Sequence, residues 1–338
     1  MIDLAIRLIK QIKSVVSMNS SKFRKICENH ARSGRFLILA YHRVKKPSAD
    51  QYIEPGMYVS PAVFKRQMEI IGKYFRIVTL EKVCREKPDI IKPSCVLTFD
   101  DGWIDFYTNV FPVLKEHQYP ATVFLPTGYI GTKRMFWPDC FARLMIKRKF
   151  DTGFLSDYLK DEKSKRELKR KFSRKNLHEL INLIKRCSME QKFDVIGRIF
   201  KGSDLIKENQ SDFLDWDQVC RMKESKLVFF GSHTSEHIIL TSASKERVVA
   251  ELYGSKEELL KRNVVSSDFV PFCYPNGFTS DVITERVKSA GYDCAVTVKR
   301  RWNNSSTDIY RLSRIGMHQD TCFSSSMTIL RLGTTPVR

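Results

Sequence analysis

The sequence predicts an α/β protein: an irregular (β/α) barrel of about seven to eight parallel strands with a helical insertion. Three observations carry that expectation. From residue 36 onward, short apolar runs alternate with stretches of helical periodicity. The residues with the most chemistry follow directly after such runs, where a parallel barrel builds its sites. Residues 139–215 lack this rhythm and are polar, basic and helical in pattern.

Taken in chain order, residues 2–16 read as an amphipathic helix. Ile2, Ile6, Ile9, Ile12 and Val16 share a stripe, with Arg7, Lys10 and Lys13 off it. Such a helix packs on a domain surface or lies in a membrane interface. The strands expected next are Phe36–Tyr41, Arg76–Thr79, Cys95–Phe99, Ala121–Leu125, Leu227–Gly231, Phe269–Tyr274, Asp293–Val298 and, more weakly patterned, Tyr310–Ile315. Between them, Ser60-Pro61 caps and opens a helix to about Tyr74. A second helix is expected over 103–118, and Ser244 caps a third from Lys245 to Arg262. A fourth covers 281–290 and ends at Gly291. Within the insertion, Leu177, Leu180, Ile181 and Ile184 form a stripe. The expected organisation is a basic helical segment at 1–35, a barrel at 36–138 and 216–320, the insertion at 139–215 and a tail at 321–338.

At 338 residues and 42% hydrophobic, the chain can bury a sizeable core. Nine cysteines without a CxxC pair or regular spacing favour a reducing compartment over a disulfide framework. The longest strictly apolar run, Phe36–Tyr41, is far below the roughly 18 residues needed to span a bilayer. Arg7, Lys10 and Lys13 interrupt the N-terminal apolar stretch, so no export signal is expected. The net charge of +20 is uneven. Residues 1–46 hold eleven Lys/Arg against Asp3 and Glu28, a net of +9, and residues 143–201 hold eighteen against eight acids, a net of +10. These blocks suit an anionic partner, or else are solvated lysines. Nucleic acid is disfavoured, because few aromatics interleave with the basic stretches.

Leu97-Thr98-Phe99-Asp100-Asp101-Gly102 places two adjacent carboxylates at the end of a strand. One can bind a cation while the other takes a proton from water. Gly231-Ser232-His233-Thr234-Ser235-Glu236-His237 follows another strand. On a helix or helical turn, His233 and His237 at i, i+4 share one face and can meet one metal. The flat rings of Trp103, Tyr107, Trp137, Trp216 and Tyr274 offer stacking surfaces for a sugar, or pack in cores.

The TFDDG and HTxxH phrases, in order with the later Phe272-Cys273-Tyr274-Pro275-Asn276-Gly277, resemble the polysaccharide deacetylases (the NodB-homology domain, carbohydrate esterase family 4). Pro120–Leu125 and Val287–Tyr292 are similar to family segments as well. The resemblance covers about residues 36–138 and 215–316. It implies that Asp100 is the catalytic base and that Asp101, His233 and His237 bind one divalent metal, usually zinc. It also implies that the Asn276 N–H beside Tyr274 helps to hold the oxyanion. Much of the family has an arginine at the position of Cys273, and Arg314 is the candidate to replace it. Leu39-Ala40-Tyr41-His42 resembles the circularly permuted, poly-N-acetylglucosamine deacetylase-like branch, which makes His42 the general acid, with His318 as runner-up.

The expected activity is removal of an N-acetyl group from an N-acetylated sugar in a glycan or its precursor, lipid- or nucleotide-linked forms included. A deformylase or O-acetyl esterase on the same fold, and an inactive carbohydrate- or membrane-binding module, are the alternatives. The expected location is cytoplasmic, peripheral on the inner face of a membrane. The stripe and the charge blocks predict salt-sensitive binding to anionic vesicles, since a basic residue near the surface contributes roughly 1 kcal/mol. Deleting residues 1–16 should weaken co-sedimentation with anionic vesicles and spare hydrolysis of a small soluble substrate. Equal sedimentation with neutral and anionic vesicles would leave these segments as solvated basic surface.

Overall fold

The computed structural model describes residues 18–47, 53–86, 91–147, 153, 165–166, 174–186, 189–203 and 211–337. The helix expected over 2–16 lies outside them. The chain divides into two compact units. The first comprises Met1–Lys46, Pro55–Thr132 and Asp212–Arg338, and the second Pro47–Glu54 and Lys133–Ser211.

The strands, in chain order, are Leu37–Tyr41 (β1), Arg43–Val44 (β2), Tyr58–Val59 (β3), Arg76–Ile77 (β4), Ser94–Phe99 (β5), Ala121–Leu125 (β6), Val228–Ser232 (β7), Pro271–Cys273 (β8), Cys294–Val296 (β9) and Ile315–Gly316 (β10). Eight form one sheet with parallel pairing, along the path β10-β1-β5-β6-β7-β8-β9, and β4 pairs with the opening of β5. Every residue of β1, β5 and β6 is buried, which is why these strands read as mainly apolar runs, with Ser94, Thr98 and Thr122 the polar exceptions, rather than alternating ones.

The two ends of the path are joined by one short segment. Leu312 donates its N–H to Ala295 and accepts from Thr297, while Ile315 and Gly316 pair with β1. The weak strand expected at Tyr310–Ile315 is therefore a 3₁₀ turn at Ile309–Arg311, a single bridge at Leu312 and a two-residue strand. The segment changes partner halfway along, so no continuous strand can form.

The described helices are Ser20–Arg32 (α1), Pro61–Tyr74 (α2), Leu80–Arg85 (α3), Phe111–His117 (α4), Trp137–Ile146 (α5), Arg174–Arg186 (α6), Met189–Ser203 (α7), Trp216–Glu224 (α8), Lys245–Lys261 (α9), Asp281–Ser289 (α10) and Ser325–Gly333 (α11). Ser244 caps α9 through the Arg247 N–H. The helix expected over 103–118 is present over 104–117, with a π turn at Phe106–Val110 running directly into α4. Pro112 explains the π turn. It has no N–H and its ring opposes the carbonyl of an i−4 residue, and the shift to Phe111 N–H→Phe106 O relieves that crowding.

Two boundaries differ from expectation. Residues 212–214 pair with the Gly102–Ile104 turn, through Leu214 N–H→Gly102 O and Ile104 N–H→Asp212 O, both 2.8 Å, and so belong to the barrel unit. Residues 321–337 carry α11, which packs on α1 and α2 with Thr328, Ile329 and Leu332 buried. In the second unit, Leu177, Leu180, Ile181 and Ile184 are buried with Phe141, Leu144, Val195 and Ile199. Leu332 is fully buried, so Leu332→Ala should cost about 2–5 kcal/mol, read as a lower urea midpoint. An unchanged midpoint would mean that 321–337 is a tail after all.

Candidate active site

The C-terminal ends of the barrel strands deliver the site. His42 follows β1, Asp100 and Asp101 follow β5, His233 follows β7, and Cys273 ends β8. Asp100 continues the β1–β5 ladder, its N–H donating to Tyr41 O. Asp101 has φ 74°, in the left-handed region, and Gly102 has φ 62°. The left-handed residue breaks the alternation of the strand, and both carboxylates end up buried at the barrel top.

Asp100 is held by Arg314. Nη1 donates to Oδ1 at 2.7 Å and Nη2 to Oδ2 at 2.8 Å, a bidentate ion pair. Arg314 also donates to Thr98 Oγ1, to the Thr297 carbonyl and to Cys273 Sγ at 3.1 Å. Burial raises the Asp100 carboxyl, but Arg314 first, then His42 and His233, bring it below its ordinary value. Burial pushes the Cys273 thiol up, so it stays neutral beside the guanidinium. Asp100, His233 and Cys273 lie close enough for a second cation triad, but Arg314 already fills that place with positive charge.

Asp101 faces the two histidines, its Oδ1 lying 3.5 Å from His233 Nε2 and 3.3 Å from His237 Nε2. The Nδ1 of His233 lies 2.8 Å from the Cys273 carbonyl, so Nδ1 must carry the proton. His233 therefore turns Nε2 to Asp101 Oδ1. Burial opposes a charge on the ring, but Cys273 and then Asp101 outweigh it and hold the imidazole well above its ordinary pKa, so a cation bound here would displace the Nε2 proton. Asp101 Oδ1 is buried with no hydrogen-bond partner among the described residues. Two imidazole nitrogens and a carboxylate oxygen converging on one point fit a cation, and two imidazoles with one carboxylate are a zinc donor set. Burial opposes the charge on Asp101, and the facing imidazoles of His233 and His237 outweigh it, holding the carboxyl well below the usual range. Burial pushes His237 down, toward the neutral form a ligand needs.

The His233–His237 segment is not helical. Both rings reach Asp101 through a loop in which Thr234 (φ 66°) and His237 (φ 52°) are left-handed. Glu251 on α9 fixes this loop. Its buried carboxylate accepts the N–H groups of Ser235 and Glu236, each at 2.8 Å, and pairs with Arg247. The sequence reading passed over Glu251. Its signal was a lone acid on the buried stripe Val248, Leu252, Ser255 and Leu259.

His42 Nε2 lies 3.7 Å from Asp100 Oδ2, and its side chain is 18% exposed. Burial, with the charges of His42 and Arg331, presses His318 down to about 3, which leaves it no proton to give at neutral pH. The Asn276 N–H makes no hydrogen bond among the described residues, with Asn276 held at φ 57°. Tyr274 corrects an expectation. It is fully buried, edge-on to Phe272, and its hydroxyl donates to the Tyr310 carbonyl, so it offers no face to a sugar. Trp103 is also buried, and its indole N–H donates to Asp101 Oδ2 at 3.0 Å.

A parallel barrel with carboxylates and imidazoles gathered at the C-terminal ends of its strands has the build of a barrel enzyme. The particular family follows from comparison with known proteins: residues 87–295 match Polysaccharide deacetylase, and the chain belongs to that family. It is 25% identical over 297 residues to the poly-β-1,6-N-acetyl-D-glucosamine N-deacetylase of Staphylococcus epidermidis, covering 84% of this chain and 79% of that protein. It is 29% identical over 148 residues to the protein of the same name from Staphylococcus aureus strain MSSA476, covering 40% and 49%. In fold it is similar to the Streptococcus pyogenes deacetylase PplD in complex with acetate (TM-score 0.57, 20% identity, 88% of this chain and 97% of that one). It is similar also to IcaB from Ammonifex degensii (TM-score 0.56, 17% identity, 88% and 98%). The His42 strand precedes the Asp100 strand, which fits the permuted branch.

Arg314→Lys keeps a charge but cannot grip both oxygens. The Asp100 carboxyl should then rise toward its ordinary value. A base works ionised, so activity lost as pH falls through its pKa is lost sooner when that pKa rises. The acid limb of kcat/KM should move up by about one pH unit. An acid limb that stays in place would separate Asp100 from the rate.

Proposed function

We propose that the protein is a metal-dependent N-deacetylase acting on an N-acetylated sugar, with β-1,6-linked poly-N-acetylglucosamine as the leading substrate. The observation that carries this reading is the convergence of Asp101 Oδ1 with two imidazole nitrogens, beside a second carboxylate held by an arginine. The names of the staphylococcal relatives supply the substrate. A precursor carrying the same sugar, lipid- or nucleotide-linked and met at the inner face of a membrane, would use the same residues.

Asp101, His233 and His237 would hold one divalent ion, zinc by its donor set. Such an ion polarises an acyl carbonyl and lowers the pKa of water. Asp100, ionised beside Arg314, accepts the proton of the attacking water. The Asn276 N–H, without an internal acceptor, donates to the oxygen on which charge develops. His42 faces Asp100 from the partly exposed side and gives a proton to the departing amine, which leaves poorly otherwise.

Two variants test the division of labour between neighbouring carboxylates. Asp100→Asn should keep its metal and lose about 100-fold or more in turnover, since only the proton acceptor is gone. Asp101→Asn should lose metal and turnover together. The readouts are metal content of the purified protein and acetate release from N-acetylglucosamine oligomers. Metal lost from the first variant and kept by the second would reverse the two roles, and full activity in chelator would end the metal mechanism.

A further inference from the structure

We infer that Trp103 is a positioning residue for cation binding: its indole N–H selects which oxygen of Asp101 is offered to His233 and His237. The inference rests on the proposed cation at that triad.

A carboxylate has two equivalent oxygens, and its terminal torsion is broad, so packing alone does not decide which one points where. Here the choice is made by a hydrogen bond. Trp103 Nε1 donates to Asp101 Oδ2 at 3.0 Å, and Oδ1 is left facing the two imidazole nitrogens at 3.5 and 3.3 Å with no donor of its own. Removing the N–H would free the carboxylate to rotate and would cost entropy each time an ion is bound.

The indole is itself fixed on both faces. Phe213 stacks on one at 4.7 Å between centroids and 15° between planes. The guanidinium of Arg43 lies over the ring, 4.1 Å from its centroid. Arg43 is buried and cannot wander, because its Nε donates to Asp105 Oδ2 at 2.9 Å. The other oxygen of Asp105 accepts the Val44 N–H at 2.6 Å. The backbone of Trp103 bridges to Phe213 as well. A ring enclosed in this way has no face left for a sugar. A bicyclic ring without the N–H would fill the same slot, so packing does not account for an N–H aimed at Asp101. Arg43 is the chain neighbour of His42, so the same clamp ties the strand that carries the proposed acid to the carboxylate that carries the proposed ion.

The test separates the N–H from the ring. Trp103 is replaced by β-(3-benzothienyl)alanine, which keeps the bicyclic shape and puts sulfur where the N–H was, and in a second variant by Trp103→Phe. Zinc and cobalt affinities of the full chain are measured by competition with a chromophoric chelator, and thermal unfolding is followed in excess chelator. Both variants should bind each ion about 10–100-fold more weakly than the parent. In chelator the benzothienyl protein should unfold somewhat below the parent, because Asp101 Oδ2 has lost its donor, and added zinc should raise its unfolding temperature by less than it raises the parent's; a purely structural role would lower both temperatures alike and leave that rise unchanged. Parental affinity in the benzothienyl protein would overturn the inference, whatever Trp103→Phe does, because only the ring would then matter. A parent chain that binds neither ion would overturn the cation reading itself, and the inference with it.

Discussion

The bidentate pair between Arg314 and Asp100 is the interaction on which the rest of the structure depends. Both partners are buried. A lone charge there would cost several kcal/mol, and the pair is tolerable only because its hydrogen bonding is complete. The guanidinium is surrounded by Thr98, Thr297, Cys273 and both oxygens of Asp100. Arg314 sits between Leu312, bonded to β9, and Ile315, bonded to β1. The segment that closes the barrel is thus the segment that sets the charge of Asp100. Opening one would strand the other, at about 3–5 kcal/mol for a broken buried pair. Barrel closure and site assembly are the same event.

The two neighbouring carboxylates meet opposite fates from this frame. Asp100 has its counterion built in. Asp101 has one oxygen satisfied by Trp103 and one facing imidazoles. Glu251, a third buried acid, is satisfied by two backbone N–H groups and Arg247. Among these three carboxylates, unsatisfied buried acceptance therefore falls on a single oxygen, Asp101 Oδ1. A buried acceptor without a donor costs about 1–3 kcal/mol, and a ligand that satisfies it returns that free energy as affinity. This concentration of cost at one point supports the reading of the triad as a cation site better than the presence of histidines alone.

Much of the barrel was legible because its strands are buried on both faces. Ala121–Leu125 and Cys95–Phe99 are apolar but for one buried threonine each, and few other structures demand that. The helix starts at Ser60-Pro61 and Ser244 were legible for a local reason, since Pro61 in the first turn and the Ser244 cap are written in adjacent residues, although the Ser60 side chain makes no capping hydrogen bond. What could not be read depended on distant partners. The closing segment changes neighbours at residue 313. The tail is a helix because α1 and α2 offer it a surface. The i, i+4 spacing of His233 and His237 suggested a helix, but two left-handed residues bring the rings together without one. Tyr274 was placed at a sugar face because its chain neighbours are motif residues, whereas its ring points into the core. At the site, the motif residues and the arginine that holds Asp100 were legible in the sequence; Glu251 was not, and Trp103 stood out as a stacking ring rather than for its N–H. Trp103 and Glu251 act through a single atom each, aimed by folds of the chain 15 to 110 residues away.

The replacement of the family's arginine by Cys273 has a geometric explanation. Inward side chains of a barrel form layers contributed by alternate strands. β8 and β10 are alternate strands about β9, and β10 and β5 are alternate strands about β1. A side chain from Cys273, from Arg314 and from Asp100 therefore meet in one layer although none of these strands is adjacent to another. A guanidinium in that layer can come from β8 or from the segment leading into β10 and still reach Asp100. The strand that does not supply it must then make room. Cys273 does so: the thiol is small, neutral when buried, and accepts from Arg314 Nη2 at 3.1 Å. Its carbonyl meanwhile accepts the Nδ1 proton of His233. The same residue thus completes the solvation of Arg314 with its side chain and sets the tautomer of His233 with its backbone. It links Asp100 and Arg314 to the Asp101–His233–His237 triad without bearing a charge.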